Sequence, residues 1–589
     1  MLTRIYRLLD PTERRRVLLL APLVLVSAGM EIVGVSAVIP FMTLLAEPQA
    51  VSDLPIVGPM VRSSGVEDVG TLLRYAGLGL ALMVLLMNAV VMLTRYRQYR
   101  FSTGLIAGMS TRLLRHYLSQ PYAFTLTRNT GDLTNLVVRE VERVTLGANA
   151  GLGLMTNAVT ITALLVFLIL LDPLLALVSF LVLGNLYGLV FLASRRYLTR
   201  TSREVVRLGG ERIKAVNEAL GGFREVKMGS REAAALRHYA RPTLRYADIQ
   251  AVVMAISRLP RYALESIAVG GVVAVASLMA GREGSVVATL PLLGAYVFAG
   301  LRLIPAMQYL FQNVAVLRSV QGSVEAIERD FADLDEDRDA LGEPPNPPLF
   351  QRAISLDGVS FSYPAGDSEA VRGVHLLLAK GRSLAIVGRT GSGKTTLVNV
   401  LLGLLEPSSG TVSVDGVVVT RDRRRAYRRL FGYVPQDIFL IDDTIRRNVA
   451  LGIPDDEIDD EAVQVACRQA QVDDFIEGEL TSGYDTVVGE RGVRLSGGQR
   501  QRIGIARALY HQPAVLVFDE ATSALDVHTE RRVFDALEAI ARERTLVMIA
   551  HRLETVAMAD LVIVLDSGCV SNEGPAETVL AGYRGVAAR

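Results

Sequence analysis

The segment Gly388-Arg-Thr390-Gly391-Ser392-Gly393-Lys394-Thr395 carries the clearest chemistry in this 589-residue chain. Its glycines let backbone N–H groups close around phosphate oxygens, at the start of a helix whose dipole favours anions. Lys394 supplies charge for the outer phosphates and Thr395 a hydroxyl for Mg²⁺, with Thr396 next in the same turn. A second constellation is the apolar run Val515-Leu-Val-Phe518, ending in Asp519-Glu520. A run of that type is a buried strand, and a carboxylate at its exit can hold the water shell of a metal. The adjacent Glu520 is placed to orient or deprotonate an attacking water. The two constellations together predict nucleotide binding and hydrolysis with Mg²⁺.

These residues occupy only the second half of the chain. Half of all residues are hydrophobic, and they concentrate before about residue 320 in runs near or above the roughly 20 residues that cross a bilayer. Six spans are expected, at about 17–45, 72–93, 147–171, 174–197, 262–280 and 286–308. The first follows a basic start and reads as a retained span rather than a cleaved signal. The stretches 94–146 and 198–261 are long and rich in Lys and Arg, whereas 172–173 and 281–284 are very short. The positive-inside rule then puts the long loops, the N-terminus and the phosphate-handling half in the cytoplasm. Mixed-charge runs such as Arg139-Glu140-Val-Glu-Arg143 extend the neighbouring helices, with turns expected at Gly131-Asp132-Leu133 and Gly221-Gly222-Phe223-Arg224-Glu225. Residues 47–70 are the only sizeable external connection and could carry a short surface helix. The acidic, then proline-rich, stretch 330–352 is a linker. The fold expected is an all-α six-helix membrane domain over 1–329 with long intracellular extensions, followed by an α/β P-loop nucleotide-binding domain over 353–589. A net charge of +1 argues against a nucleic-acid partner, and Cys467 and Cys569 are expected as free thiols.

Leu495-Ser496-Gly497-Gly498-Gln499 lies about 100 residues after the phosphate loop, and His551 follows Asp519-Glu520. In that order and spacing the motifs resemble the ATP-binding-cassette family, and the long paired intracellular helices resemble its exporter subtype. The resemblance implies further roles. Asp519 and Glu520 match the Walker B aspartate and the catalytic glutamate. Ser496, Gly498 and Gln499 match a signature that meets the γ-phosphate on a partner cassette. Hydrolysis then needs a head-to-tail pair, most simply a homodimer. Tyr363 matches the aromatic that stacks on adenine, Gln436 the glutamine that contacts Mg²⁺ and water, and His551 the switch histidine. Gly489-Glu490-Arg491-Gly492 matches a segment that touches the coupling helices.

Cargo is less legible. The text Glu31-Ile-Val-Gly-Val-Ser-Ala-Val-Ile-Pro40-Phe-Met resembles the start of bacterial flippases for lipid-linked oligosaccharides. Arg302 inside the sixth span, Arg261 at the start of the fifth and Arg95 at the inner end of the second add cationic groups. Charges at such depth usually line a cavity, and guanidinium groups suit a diphosphate. Snorkelling, or pairing with Glu31 and Glu265, is the other reading. The expectation is an exporter or flippase of an amphipathic lipid, a lipid-linked oligosaccharide, in the bacterial inner membrane. A lipid A, drug or peptide exporter is the alternative within that class, and an ATP-gated channel or regulator the alternative outside it.

Overall fold

The computed structural model describes residues 1–46, 68–128, 130–173, 207–279, 285–332, 345–363, 368–489, 492–519, 544–550 and 553–583, with isolated positions between them. Most side chains within 253–293 lie outside the description, as do the fourth expected span, almost all of the external segment 47–67, and the turn 281–284. The chain divides into two compact units. One comprises Met1–Leu114 and Gly131–Leu334, and the other Arg115–Thr130 and Asp335–Arg589.

The first unit is helical. Helix α1 (Leu2–Leu8) precedes α2 (Pro11–Ser36), whose start is fixed by a capping box. The Glu13 carboxylate accepts from the Asp10 N–H at 2.8 Å, and Pro11 occupies the first helical position. The single expected span 17–45 is broken at Ala37, where α2 gives way to α3 (Val38–Ala46). Pro40 explains the break: it has no N–H for the carbonyl of Ser36, and its ring crowds that group. Helix α4 (Val69–Ser119) then runs unbroken for 51 residues, roughly 77 Å at 1.5 Å per residue. That is far longer than a bilayer, so the intracellular extension is a continuation of the span.

The turn of the first long loop is not where its glycine suggested. Gly131, Asp132 and Leu133 lie inside the short helix α6 (Thr130–Asn135). The reversal is made earlier by α5 (Tyr122–Thr127), which starts after Pro121. A π-helical turn, Leu136–Glu140, leads from α6 into α7 (Val141–Leu171). In the second loop Gly222 does sit at a helix start, capping α8 (Phe223–Met228). Helices α9 (Glu232–Met279), α10 (Ser285–Ser319) and α11 (Gln321–Ala332) complete the unit.

Glycines on α7 let its neighbours come close. A Cβ on Gly153 would stand 2.6 Å from the Asn313 amide nitrogen of α10, and one on Gly151 would stand 2.6 Å from Leu2 of α1. Small residues at helix contacts allow this approach in membranes. Arg4 then fastens α1 to α11, donating to Glu325 and Glu328. Three of the described helices or helical runs, Pro11–Ala46, Val69–Ser119 and Thr130–Leu171, are long and apolar enough to cross a bilayer.

The second unit holds two sheets. Strands β1 (Ala353–Ser362), β2 (Glu369–Ala379), β4 (Ser409–Val414) and β5 (Val417–Val418) form an antiparallel sheet in the order β2-β1-β4-β5. Strands β3 (Ser383–Gly388), β6 (Phe431–Val434), β7 (Val515–Asp519), β8 (Thr545–Ile549), β9 (Leu561–Asp566) and β10 (Cys569–Gly574) form the other, in the order β10-β9-β3-β8-β7-β6. Its pairings are parallel except β9–β10. Helix α12 (Lys394–Leu401) follows β3 directly, and α13 (Asp460–Gln469) and α14 (Gly497–Tyr510) cover the other face of the sheet. Helix α5 belongs to this unit, with Ala123 packed against the same cluster as α12 and β1.

Candidate functional site

The phosphate loop is held by backbone geometry that only glycine accepts. Gly391 and Gly393 have φ of +81° and +98°, and Gly388 has φ of +155°. A Cβ at Gly393 would stand 2.3 Å from the Ala370 carbonyl oxygen, and one at Gly388 would stand 2.3 Å from that of Leu565. Any side chain at either position would therefore open the loop. Lys394 is buried, and its Nζ donates to the carbonyls of Gly388 (2.9 Å) and Arg389 (3.0 Å). The Ser392 Oγ is buried with no hydrogen-bond partner among the described residues. An orphaned buried hydroxyl carries a free-energy cost, and a phosphate oxygen in the loop would relieve it. Thr390 and Thr395 are exposed beside it, while Thr396 is buried.

Thr396 connects the loop to the first sheet. Its hydroxyl lies 2.9 Å from that of Tyr363, whose ring meets Phe361 edge-on at 5.0 Å. The tyrosine is thus set at the rim of the phosphate loop. Asp519 ends β7 as expected, 6 % exposed. Its Oδ2 accepts a 3.2 Å hydrogen bond from the Tyr433 hydroxyl of β6. Burial and the facing carboxylate push the Tyr433 phenol far above its ordinary range. Gln436 is exposed just beyond the end of β6. The hydroxyl of Thr395, the amide oxygen of Gln436 and the carboxylate of Asp519 are all hard oxygen donors, the type that suits Mg²⁺.

Ser496 caps α14. Its Oγ accepts from the Gln499 N–H at 3.2 Å, and the Gln499 side chain accepts from the Ser496 N–H at 2.8 Å. Serine is exposed at the positive end of a 14-residue helix, with Gly498 buried behind it. Glu520, His551, and Glu490 and Arg491 of the segment Gly489–Gly492 lie outside the described residues.

In the membrane unit Arg302 donates to the Asn88 side chain at 2.9 Å and lies 5.9 Å from the Phe298 ring centre. Arg95 donates to Asn157 at 3.0 Å and lies 5.8 Å from the ring of Tyr309. The pairing expected with Glu31 is indirect: both positive charges act on that carboxyl, yet the hydrogen-bond partners are neutral amides. Arg261 falls within α9, with its side chain outside the description.

Two residues of consequence carried no motif. Tyr433 could have been suspected from alternation, because Phe431 and Tyr433 share a face of β6; its partner Asp519 could not, since it depends on the register of a strand some 80 residues away. Arg507 of α14 donates to the carbonyls of Asn448 (2.7 Å) and Phe439 (2.6 Å), tying the signature helix to the segment after Gln436.

Comparison with known proteins agrees with this geometry. The ABC transporter family matches residues 371–523, and the ABC transporter transmembrane region matches residues 56–281. An ATP-dependent lipid A-core flippase of Cupriavidus metallidurans is 31% identical over 97% of this chain and 93% of its own length. One from Ralstonia nicotianae is 34% identical over 80% of this chain and 79% of its own. A solved structure described as a bacterial Atm1-family ABC exporter with ATP bound superposes with a TM-score of 0.73, covering 97% of both chains at 26% identity. The chain therefore belongs to the ABC transporters: it is a multi-pass exporter half-transporter whose cassette binds and hydrolyses ATP to drive transport.

Proposed function

We propose that two copies of this chain pair head to tail in the bacterial inner membrane, cassettes and N-termini in the cytoplasm, and move a lipid with a phosphate-bearing head to the outer side by alternating access. The observation that carries the cargo reading is a ladder of guanidinium groups. Arg302 of α10 meets Asn88 of α4, and Arg95 of α4 meets Tyr309 of α10. Asn88 and Arg95, like Arg302 and Tyr309, are seven residues apart, roughly 10 Å along a helix. Two arginines thus stand two turns apart on a parallel helix pair, each oriented by an amide and an aromatic face. Among the described residues the direct partners of both charges are neutral amides and aromatic rings, with the Glu31 carboxyl acting without a direct bond, and such charges inside a membrane call for an anionic ligand. Phosphate-bearing heads are common to lipid-linked oligosaccharides, our preferred cargo, and to lipid A-type glycolipids, which the flippase names of the relatives favour. Arg261 is the third candidate contact.

At the ATP site, Lys394 and the N–H groups of Gly391, Ser392 and Gly393 hold the phosphates, and Tyr363 faces adenine. Thr395, Gln436 and Asp519 would hold Mg²⁺, which when bound would supply positive charge against the phosphates. Glu520 orients the attacking water, and His551 stabilises the γ-phosphate. Ser496 and Gly498 of the other copy close the site, again through a helix N-terminus.

The test uses full-length protein in proteoliposomes containing a polyprenyl-diphosphate oligosaccharide, a lipid A-type glycolipid or a neutral glycolipid. ATP-dependent flipping and lipid-stimulated ATPase are expected for one or both phosphorylated lipids and not for the neutral one. Arg302→Leu should abolish both with the melting temperature preserved. Equal transport of the neutral lipid, or unimpaired flipping by Arg302→Leu, overturns the cargo reading. Ion flux without net lipid movement would point to a channel.

A further inference from the structure

Tyr433 lies where no motif of the ATP site reaches, and its contacts run in two directions. Strands β6 and β7 pair in parallel, with Tyr433 opposite Val517 and Val434 opposite Phe518. Alternation along β7 puts Val515, Val517 and Asp519 on one face. That is the face on which Phe431 and Tyr433 of β6 pack, together with the apolar side of α12. The phenol therefore arrives beside the carboxylate by strand register alone, and its hydroxyl donates to Asp519 Oδ2 at 3.2 Å. The same cluster receives Ala123 of α5, and the Tyr122 hydroxyl bears electrostatically on that of Tyr433. Tyr433 thus shares one apolar cluster with the tip of the first cytoplasmic loop and bonds the carboxylate at the end of β7.

We propose that Tyr433 is a positioning residue for ATP hydrolysis: its hydroxyl fixes the orientation of the Asp519 carboxylate for the metal, and its ring carries displacements of α5 to that carboxylate. The inference rests on Asp519 being a metal-holding group. A charge-assisted hydrogen bond from a half-buried phenol restricts a short carboxylate side chain to one rotamer. Outer-shell partners of this sort change metal affinity by roughly 10- to 100-fold when removed. Because Ala123 of α5 packs against the same cluster as Tyr433, loop movement would reach the metal through Tyr433.

Tyr433→Phe removes one oxygen and keeps the ring. Mn²⁺ binding to the nucleotide-loaded, full-length protein, counted by electron paramagnetic resonance of free Mn²⁺, should weaken roughly 10-fold. Nucleotide binding in EDTA and the melting temperature should not change. Asp519→Asn is the control: if it leaves Mn²⁺ affinity intact, the metal-holding reading of Asp519 fails. If Asp519→Asn weakens Mn²⁺ binding and Tyr433→Phe does not, this inference fails. A fall in melting temperature alongside the lost affinity would make Tyr433 a packing residue and overturn it equally. The α5 arm is read by a double-mutant cycle. Tyr122→Ala should weaken Mn²⁺ binding several-fold in the wild-type background and have no effect in the Tyr433→Phe background. Independent effects in the two backgrounds would remove α5 from the proposal.

Discussion

In the cassette, β3, β7 and β8 are buried along almost their whole length, and the residues inside are Val, Leu, Ile, Ala, Met and Phe, with Ser383, Asp519 and Thr545 buried at the strand ends. In the membrane unit many large apolar residues face outward: Leu19, Leu78 and Leu170 are 75, 70 and 80% exposed. Its interior joins apolar side chains such as Val35, Met87 and Leu164 to Thr94, Gln98, Ser102, Thr156, Asn157 and Thr160, all nearly inaccessible. Gln98 donates to Thr156 at 2.6 Å across α4 and α7. The contrast follows from the solvent. Water drives apolar groups inward in the cassette, whereas lipid is as apolar as leucine and gives no such drive, so polar bonds and close packing hold the helices together. Chemistry in the cassette is consequently built at strand ends around an oily core, and recognition in the membrane unit draws on polar groups already inside.

Substitutions can break or sharpen this contrast. The largest effect is expected at the carboxylate proposed to act on water: Glu520→Gln should cut steady-state ATPase at least about 10²-fold while ATP binding persists. Turnover near the wild-type rate would move the base elsewhere. Ser496→Arg should abolish turnover when both copies carry it, and mixing with Lys394→Ala should give dimers whose two sites are affected differently from either parent. Full activity in a species that light scattering shows to be monomeric would refute the head-to-tail reading. Leu516→Ala, in the centre of the cassette core, should cost about 2–5 kcal/mol and lower the unfolding temperature of the cassette. Gln98→Leu should cost about 1 kcal/mol or less, because hydrogen bonds between membrane helices average near 0.6 kcal/mol and Thr156 keeps its bond to the Leu152 carbonyl. A Gln98→Leu loss as large as that of Leu516→Ala would erase the distinction between the two regions.

The smallest effect concerns pH. The Asp415 carboxylate accepts from the N–H groups of Gln351, Ala353 and Arg352, which hold it below the ordinary carboxylate range. A pKa lower in the folded state gives stability that is complete above the unfolded value of about 3.9 and is lost as pH falls through the folded value. Asp415→Asn should melt slightly below wild type at pH 7, and the gap should close toward pH 3. A constant gap would show that charge has no part in it.

The cassette was the more legible region because phosphate chemistry fixes residue types at fixed spacing, so Lys394, Asp519 and the cap at Ser496 could be placed from sequence. Helical periodicity likewise announced that α4 outruns the membrane. What escaped were facts of register between distant segments: Tyr433 against Asp519, and Arg302 against Asn88. The tip of the first loop was misplaced for a local reason. Gly131 suggested a turn, yet Pro121 ends α4's continuation and starts α5 ten residues earlier.

The two cysteines of this chain differ in a way that makes the protein convenient to watch. Cys467 is enclosed in α13, where burial, aided by Asp473, pushes its thiol up to about 12. Cys569 is exposed at the start of the edge strand β10. A maleimide spin label or fluorophore should therefore attach at one place per chain without any cysteine being removed first. Because β10 belongs to the same sheet as the phosphate loop, a pair of such labels would act as a molecular ruler between two cassettes, reporting their separation as nucleotide is added.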